Sequence, residues 1–120
     1  MPQINFLTIQ VHDMDAAIQF YVDILGFSVR MKDDYPHYVL LDHDPFPIAI
    51  HAPGERNTLE YGKQANIVIG INTSDLTAKL ADLKAQGVDL IHDAPKRFKF
   101  GFYAALRDPS GNVIELIEFK

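Results

Sequence analysis

The sequence predicts an α+β fold: two βαβββ modules forming a curved mixed sheet around a cleft, with the helices on the outer face. Three observations carry this. Apolar residues alternate with period two in short runs bounded by turn residues. Two stretches, 14–25 and 75–86, switch to helical spacing, and each is followed by glycine, Gly26 and Gly87. The same order then restarts after a polar stretch, at an interval of about sixty residues, too long for a solenoid repeat. One domain of 120 residues is expected, with a first module over 1–52, a linker over 53–64 and a second module over 65–120.

The elements follow in chain order. Ile4 to Val11 alternates, with Leu7, Ile9 and Val11 on one face and Phe6, Thr8 and Gln10 on the other. Asp13 suits an N-cap, because its carboxylate can accept from the free N–H groups of a first helical turn. Ala17, Ile18, Tyr21, Val22 and Leu25 form the apolar stripe of that helix. Phe27 to Lys32, Tyr38 to Asp42 and Pro47 to His51 read as strands, separated by turns at Asp33-Asp34-Tyr35-Pro36 and Asp44-Pro45. Residues 52–64 have no period and read as a connection.

In the second module Asn66 to Ile71 alternates. Ser74 is expected to cap a helix carrying Leu76, Leu80 and Leu83. Val88 to Ile91 and Phe98 to Leu106 read as strands, the latter with Phe98, Phe100 and Phe102 on one face and Lys99 and Tyr103 on the other. Arg107-Asp108-Pro109-Ser110-Gly111 is a tight turn. It leads into a last strand, Asn112 to Phe119, apolar but for Glu115 and Glu118. Glu118 is expected to be solvated. Glu115, between Ile114 and Leu116, needs a partner if it is buried.

Composition excludes several functions. The apolar fraction of 48% is that of a water-soluble chain, and no apolar run approaches the length of a membrane span. The first residues do not read as a signal peptide. There is no cysteine, hence no disulfide or thiolate metal site, which suits a cytoplasmic location. A net charge of −5 argues against a nucleic-acid partner. The one basic cluster, Lys96-Arg97-Phe98-Lys99, reads as a solvated loop or strand end.

Val11-His12-Asp13-Met14 entering a helix with Phe20-Tyr21, then Leu25-Gly26-Phe27, then Arg107-Asp108-Pro109-Ser110-Gly111-Asn112-Val113-Ile114-Glu115-Leu116, resemble the vicinal oxygen chelate superfamily. That group includes glyoxalase I, extradiol dioxygenases and the bleomycin- and fosfomycin-resistance proteins. The resemblance spans essentially the whole chain. It implies four metal-ligand positions on the cleft face, which fall here on Phe6, Ala49, Asn66 and Glu115. Phenylalanine and alanine carry no donor, and an amide oxygen is a poor ligand for a transition metal. No cofactor is therefore expected. The alternative is a divalent metal held by Glu115 and His51, which faces the same side as Ala49.

Two functions from different classes stay open. The first is a small-molecule binder like the bleomycin-resistance proteins, holding an apolar or aromatic compound with Phe6, Thr8, Ala49, His51, Asn66, Phe100, Phe102 and Glu115. The second is a glyoxalase-like lyase, isomerase or dioxygenase, with Glu115 as base and with or without metal. For each residue a plainer role competes: strand-end histidine for His51, core filling for the aromatics, solvated polar group for Thr8 and Asn66, and an ancestral remnant for Glu115. A degenerate member kept for protein contact is a third class. The resemblance also implies a homodimer.

Overall fold

A computed structural model describes residues 1–120. The chain divides into two compact units, Met1–Asn57 and Thr58–Lys120. Each holds one mixed sheet and one helix, and neither sheet closes into a barrel. No helix is long and apolar enough to cross a membrane.

The first unit runs β1 (Leu7–Gln10), α1 (Met14–Ile18), β2 (Ser28–Asp34), β3 (Tyr38–Asp42) and β4 (Ile48–His51). Its sheet order is β1-β4-β3-β2, with β1 parallel to β4 and the other pairs antiparallel. Ile9, Val39, Leu41, Ile48 and Ile50 are buried, as are Met14, Ala17, Phe20 and Tyr21 of the helical segment. The Asp13 carboxylate accepts from the Ala16 N–H at 3.2 Å, as a cap should. After Ile18 the helix widens into a π-helical segment, Gln19–Ile24, in which Leu25 N–H donates to the Phe20 carbonyl. Gly26, at φ +96°, lets the chain turn out of it.

The pairing of β1 starts at Leu7, not at Ile4. Leu7 lies beside Ile48, so the preceding residue meets Pro47, which has no N–H to offer a ladder. Phe6 is thereby left outside the strand and 52% exposed.

The second unit runs β5 (Ile69–Asn72), α2 (Leu76–Ala85), β6 (Asp89–Leu90), β7 (Lys96–Phe98), β8 (Gly101–Arg107) and β9 (Val113–Phe119). Its order, β5-β9-β8-β6, repeats that of the first sheet, and β5 is again parallel to its neighbour. Leu76, Leu80 and Leu83 of α2 are buried, as are Ala104, Leu106, Ile114 and Leu116 of the sheet. The cap is Asp75, whose carboxylate accepts from Ala78 N–H at 3.1 Å, and not Ser74. Gly87, at φ +78°, ends α2 in a Schellman turn: Val88 N–H donates to Leu83 and Gly87 N–H to Lys84.

Two expected strands are corrected. The first strand of this unit begins at Ile69 because its partner β9 begins at Val113. In the parallel register of Ile69 beside Ile114, residues before 68 would face the Asp108–Gly111 turn, which has no ladder to offer. Asn66 and Ile67 are therefore exposed and irregular. The expected strand Phe98–Leu106 is a hairpin, β7 and β8, turning at Lys99 and Phe100. Gly101 opens β8 at φ +147°, a backbone state closed to other residues. The hairpin breaks the expected alternation. Phe98 faces the same side as Tyr103, Phe102 faces the opposite side, and Phe100 sits in the turn, 56% exposed.

At Gly101 a Cβ would overlap the Glu118 carbonyl oxygen of β9. Gly101→Ala is expected to cost about 2–4 kcal/mol, read as a lowered urea midpoint.

Candidate functional site

The two faces of β9 divide its carboxylates. Ile114, Leu116 and Glu118 share the face covered by α2, while Glu115 and Ile117 point to the other. Glu118 is not solvated. Its Oε1 accepts from the Leu76 N–H at 2.8 Å, at the start of α2, and its Oε2 lies 3.2 Å from Lys120 Nζ. The backbone hydrogen bond, then Lys120, holds its carboxyl below the usual glutamate range. It serves the helix.

Glu115 lies half-buried between Gly70 of β5 and Ala105 of β8. Its Oε2 accepts a short hydrogen bond from the Tyr61 hydroxyl. Burial, and then this bond to a carboxylate, raise the Tyr61 pKa well above the usual tyrosine value. Tyr61 therefore stays a donor across the neutral range. The segment before it is pinned as well, because Arg107 donates to the Leu59 carbonyl and to that of Gly111, each at 2.9 Å.

Aromatic rings continue from this pair. His92 stands edge-on to Tyr61 at 5.4 Å and to Tyr103 at 5.7 Å between centroids. Tyr103 meets Phe98 at 5.9 Å, and Phe98 meets Phe100 and Phe119. The Ala105 N–H donates to His92 Nδ1 at 3.0 Å. That nitrogen must carry a lone pair, so the His92 proton sits on Nε2.

Sequence reasoning assigns neither Tyr61 to Glu115 nor His92 and Tyr103 to the rings that continue from Tyr61. Tyr61 lies in an aperiodic stretch and His92 beside a turn, where local pattern gives no sign of a contact distant in sequence. One signal was legible: a carboxylate in an apolar strand needs a donor.

The other expected residues are placed as follows. Ala49 is fully buried on β4, beside Thr8 and Leu40. This is the position Glu115 holds on β9, beside Gly70 and Ala105. Thr8 and His51 are exposed, and His51 donates from Nδ1 to the Gln10 side-chain oxygen at 2.9 Å. Phe102 lies on the α2 face, with the Arg97 guanidinium 5.7 Å from its ring centre. Asn66 is exposed and off the strand. The structure thus does not bring Phe102 or Asn66 onto the Glu115 face of the second sheet, whereas Phe100, in the β7–β8 turn, reaches the ring series through Phe98. Arg30 pairs with Asp42 across β2 and β3 at 2.7 Å.

The donor set does not fit a divalent metal. Phe6 and Ala49 offer no lone pair, Asn66 is off the sheet, and one Glu115 oxygen is taken by a phenol proton. No three His, Asp or Glu side chains converge as a metal would require.

A repeated parallel-edged sheet with one helix per unit, together with the Asp-Pro-Ser-Gly turn before a carboxylate-bearing strand, defines a glyoxalase-type domain. The chain belongs to the Glyoxalase/Bleomycin resistance protein/Dioxygenase superfamily, whose profile matches residues 3–116. It is 25% identical to the metallothiol transferase FosB of Staphylococcus epidermidis, over 94% of this chain and 79% of that protein. It is 26% identical to a probable lactoylglutathione lyase of Synechocystis, over 92% of this chain and 90% of that protein. Among solved structures it is similar to TnmS3, an antibiotic binding protein from a Streptomyces species. The TM-score is 0.75 at 22% identity, covering 100% of this chain and 98% of that one. That likeness speaks to the fold alone.

Removing the phenol should expose the cost of an unpaired carboxylate. Tyr61→Phe is expected to lower stability by about 1–2 kcal/mol in urea unfolding at neutral pH. For Glu118, a lowered pKa means stability that is present above the ordinary glutamate value of 4.5 and lost as pH falls through the folded one. The gap in urea midpoint between the native chain and Glu118→Gln is expected at pH 7 and should shrink below pH 4.5. A gap that stays constant would refute the helix-capping role.

Proposed function

We propose that this chain binds a small apolar or aromatic molecule without a metal, in the manner of the antibiotic-binding members of its family. The observation that carries the reading is the Tyr61–Glu115 pair at the head of a run of aromatic rings. Rings offer apolar surface for a planar ligand, and a few fixed polar groups orient what lies against it. Glu115, Tyr61, His92 and Tyr103 are assigned to ligand contact in the second unit. In the first unit, taken by itself, Thr8 and His51 are assigned to ligand contact, both exposed, with the buried Ala49 between them on β4 as packing. We further propose a cytoplasmic homodimer.

A second reading is an enzyme of the lyase or transferase kind, as two relatives are named. The specific feature that favours it is the neutral His92 ring beside the Tyr61–Glu115 pair. Glu115 can accept a proton, and His92 Nε2–H can donate a hydrogen bond to a developing oxyanion.

The two part on metal dependence and turnover. Under the binding reading, added Zn²⁺, Ni²⁺, Mn²⁺ or Fe²⁺ leaves the melting temperature unchanged. A rise of several degrees that a chelator reverses would overturn it, because a ligand that binds the folded state must stabilise it. Under the enzyme reading, Glu115→Gln abolishes turnover of a 2-oxo or catechol substrate while the fold survives.

A further inference from the structure

Glu115 is a carboxylate without a cation. Its one hydrogen-bond partner is the Tyr61 hydroxyl, which is neutral. The ion pairs of the chain lie elsewhere: Arg30 with Asp42, Lys63 with Glu60, and Lys120 with Glu118. A half-buried carboxylate with one neutral partner keeps acceptor capacity on its second oxygen.

There is room for a further partner. The cross-strand neighbours of Glu115 are glycine and alanine, Gly70 and Ala105. A Cβ built at Gly70 would touch only the Ile117 Cγ1 atom, at 3.6 Å, so the space above β5 beside the carboxylate is open. On the other side of the carboxylate, along β8, stand His92 and Tyr103, packed edge to face, and Tyr61 bonds Glu115 itself. Edge-to-face packing leaves some π-faces free, and a π-face attracts positive charge. The Tyr61 proton is already committed to Glu115, whose second oxygen still has acceptor capacity.

We infer that the open face beside Glu115 takes an organic ammonium group, carried on a planar apolar body that lies along the ring series. The inference rests on the small-molecule reading above and adds the charge of the ligand to it. A carboxylate ligand would meet Glu115 as a like charge. A neutral ligand would leave the charge uncompensated. An ammonium supplies both the missing charge and up to three N–H donors. The net charge of −5 favours the approach of a cation.

The test is calorimetric titration of the full chain at pH 7 with three probes of one shape: naphthylmethylamine, naphthylmethanol and naphthoate. The amine is expected to bind about ten-fold more tightly than the alcohol, with naphthoate weakest. Its affinity should fall as salt rises from about 50 to about 500 mM. Glu115→Gln is expected to bring the amine-to-alcohol ratio to about one. The salt dependence and the ranking on the native chain decide the matter even if that variant does not fold. Equal or tighter binding of the alcohol or naphthoate overturns the ammonium assignment and leaves the small-molecule reading standing. So does an amine affinity that Glu115→Gln leaves unchanged. Failure of all three probes to bind overturns both.

Discussion

The geometry of the second unit depends on one buried carboxylate, that of Asp108. Only 4% of this residue is exposed. Its Oδ1 accepts from the N–H groups of Ser110 and Asn112, and its Oδ2 accepts from the Asn112 side-chain amide, all at 2.8–2.9 Å. These bonds close the turn between β8 and β9 at one length. The register of Arg107 beside Val113, and hence of Ala105 beside Glu115, follows. A slip of one residue would send Glu115 into the α2 face and Leu116 out of it, since the side-chain period of a strand is two. The residue before the turn extends the effect. Arg107 spans the Gly111 and Leu59 carbonyls, which ties the segment carrying Tyr61 to the face that carries Glu115. The turn thus sets the position of both members of the pair.

Much of this fold was legible in the sequence because its signals are local. The Asp13 cap, the buried positions Leu76, Leu80 and Leu83, the closing glycines Gly26 and Gly87, and the strand Tyr38–Asp42 all stand where period and turn chemistry put them. What failed was set by partners. Residues 98–106 alternate well enough for one strand, yet Gly101 and the close approach of β9 make them a hairpin. Residues 66–68 also alternate, but the chain they would pair with is a turn. The cap of α2 fell one residue late because Ser74 and Asp75 are both good caps, and local chemistry does not rank neighbours.

The site divides in the same way. Glu115 was legible as a question, a carboxylate in an apolar strand, because burial makes demands that any sequence displays. The answer, Tyr61, was not, since 54 positions separate the two residues. Glu118 shows the reverse error. Its place near the chain end suggested water, but alternation turns it toward α2, where free N–H groups are waiting.

The repeat itself supplies the last step. Thr8, Ala49 and Leu40 occupy in the first sheet the places of Gly70, Glu115 and Ala105 in the second. One half holds a methyl group where the other holds a carboxylate. The phenol proton adds a second constraint, because an oxygen lone pair that accepts from Tyr61 is not free to coordinate a cation in the same direction. A hydrogen-bonded carboxylate and a metal-bound one are thus competing uses of one atom. In this chain the tyrosine at 61 commits that oxygen to the hydrogen bond. On the proposed binding reading, the second oxygen of Glu115 is the acceptor that remains, and a group that brings its own protons would meet it without displacing Tyr61.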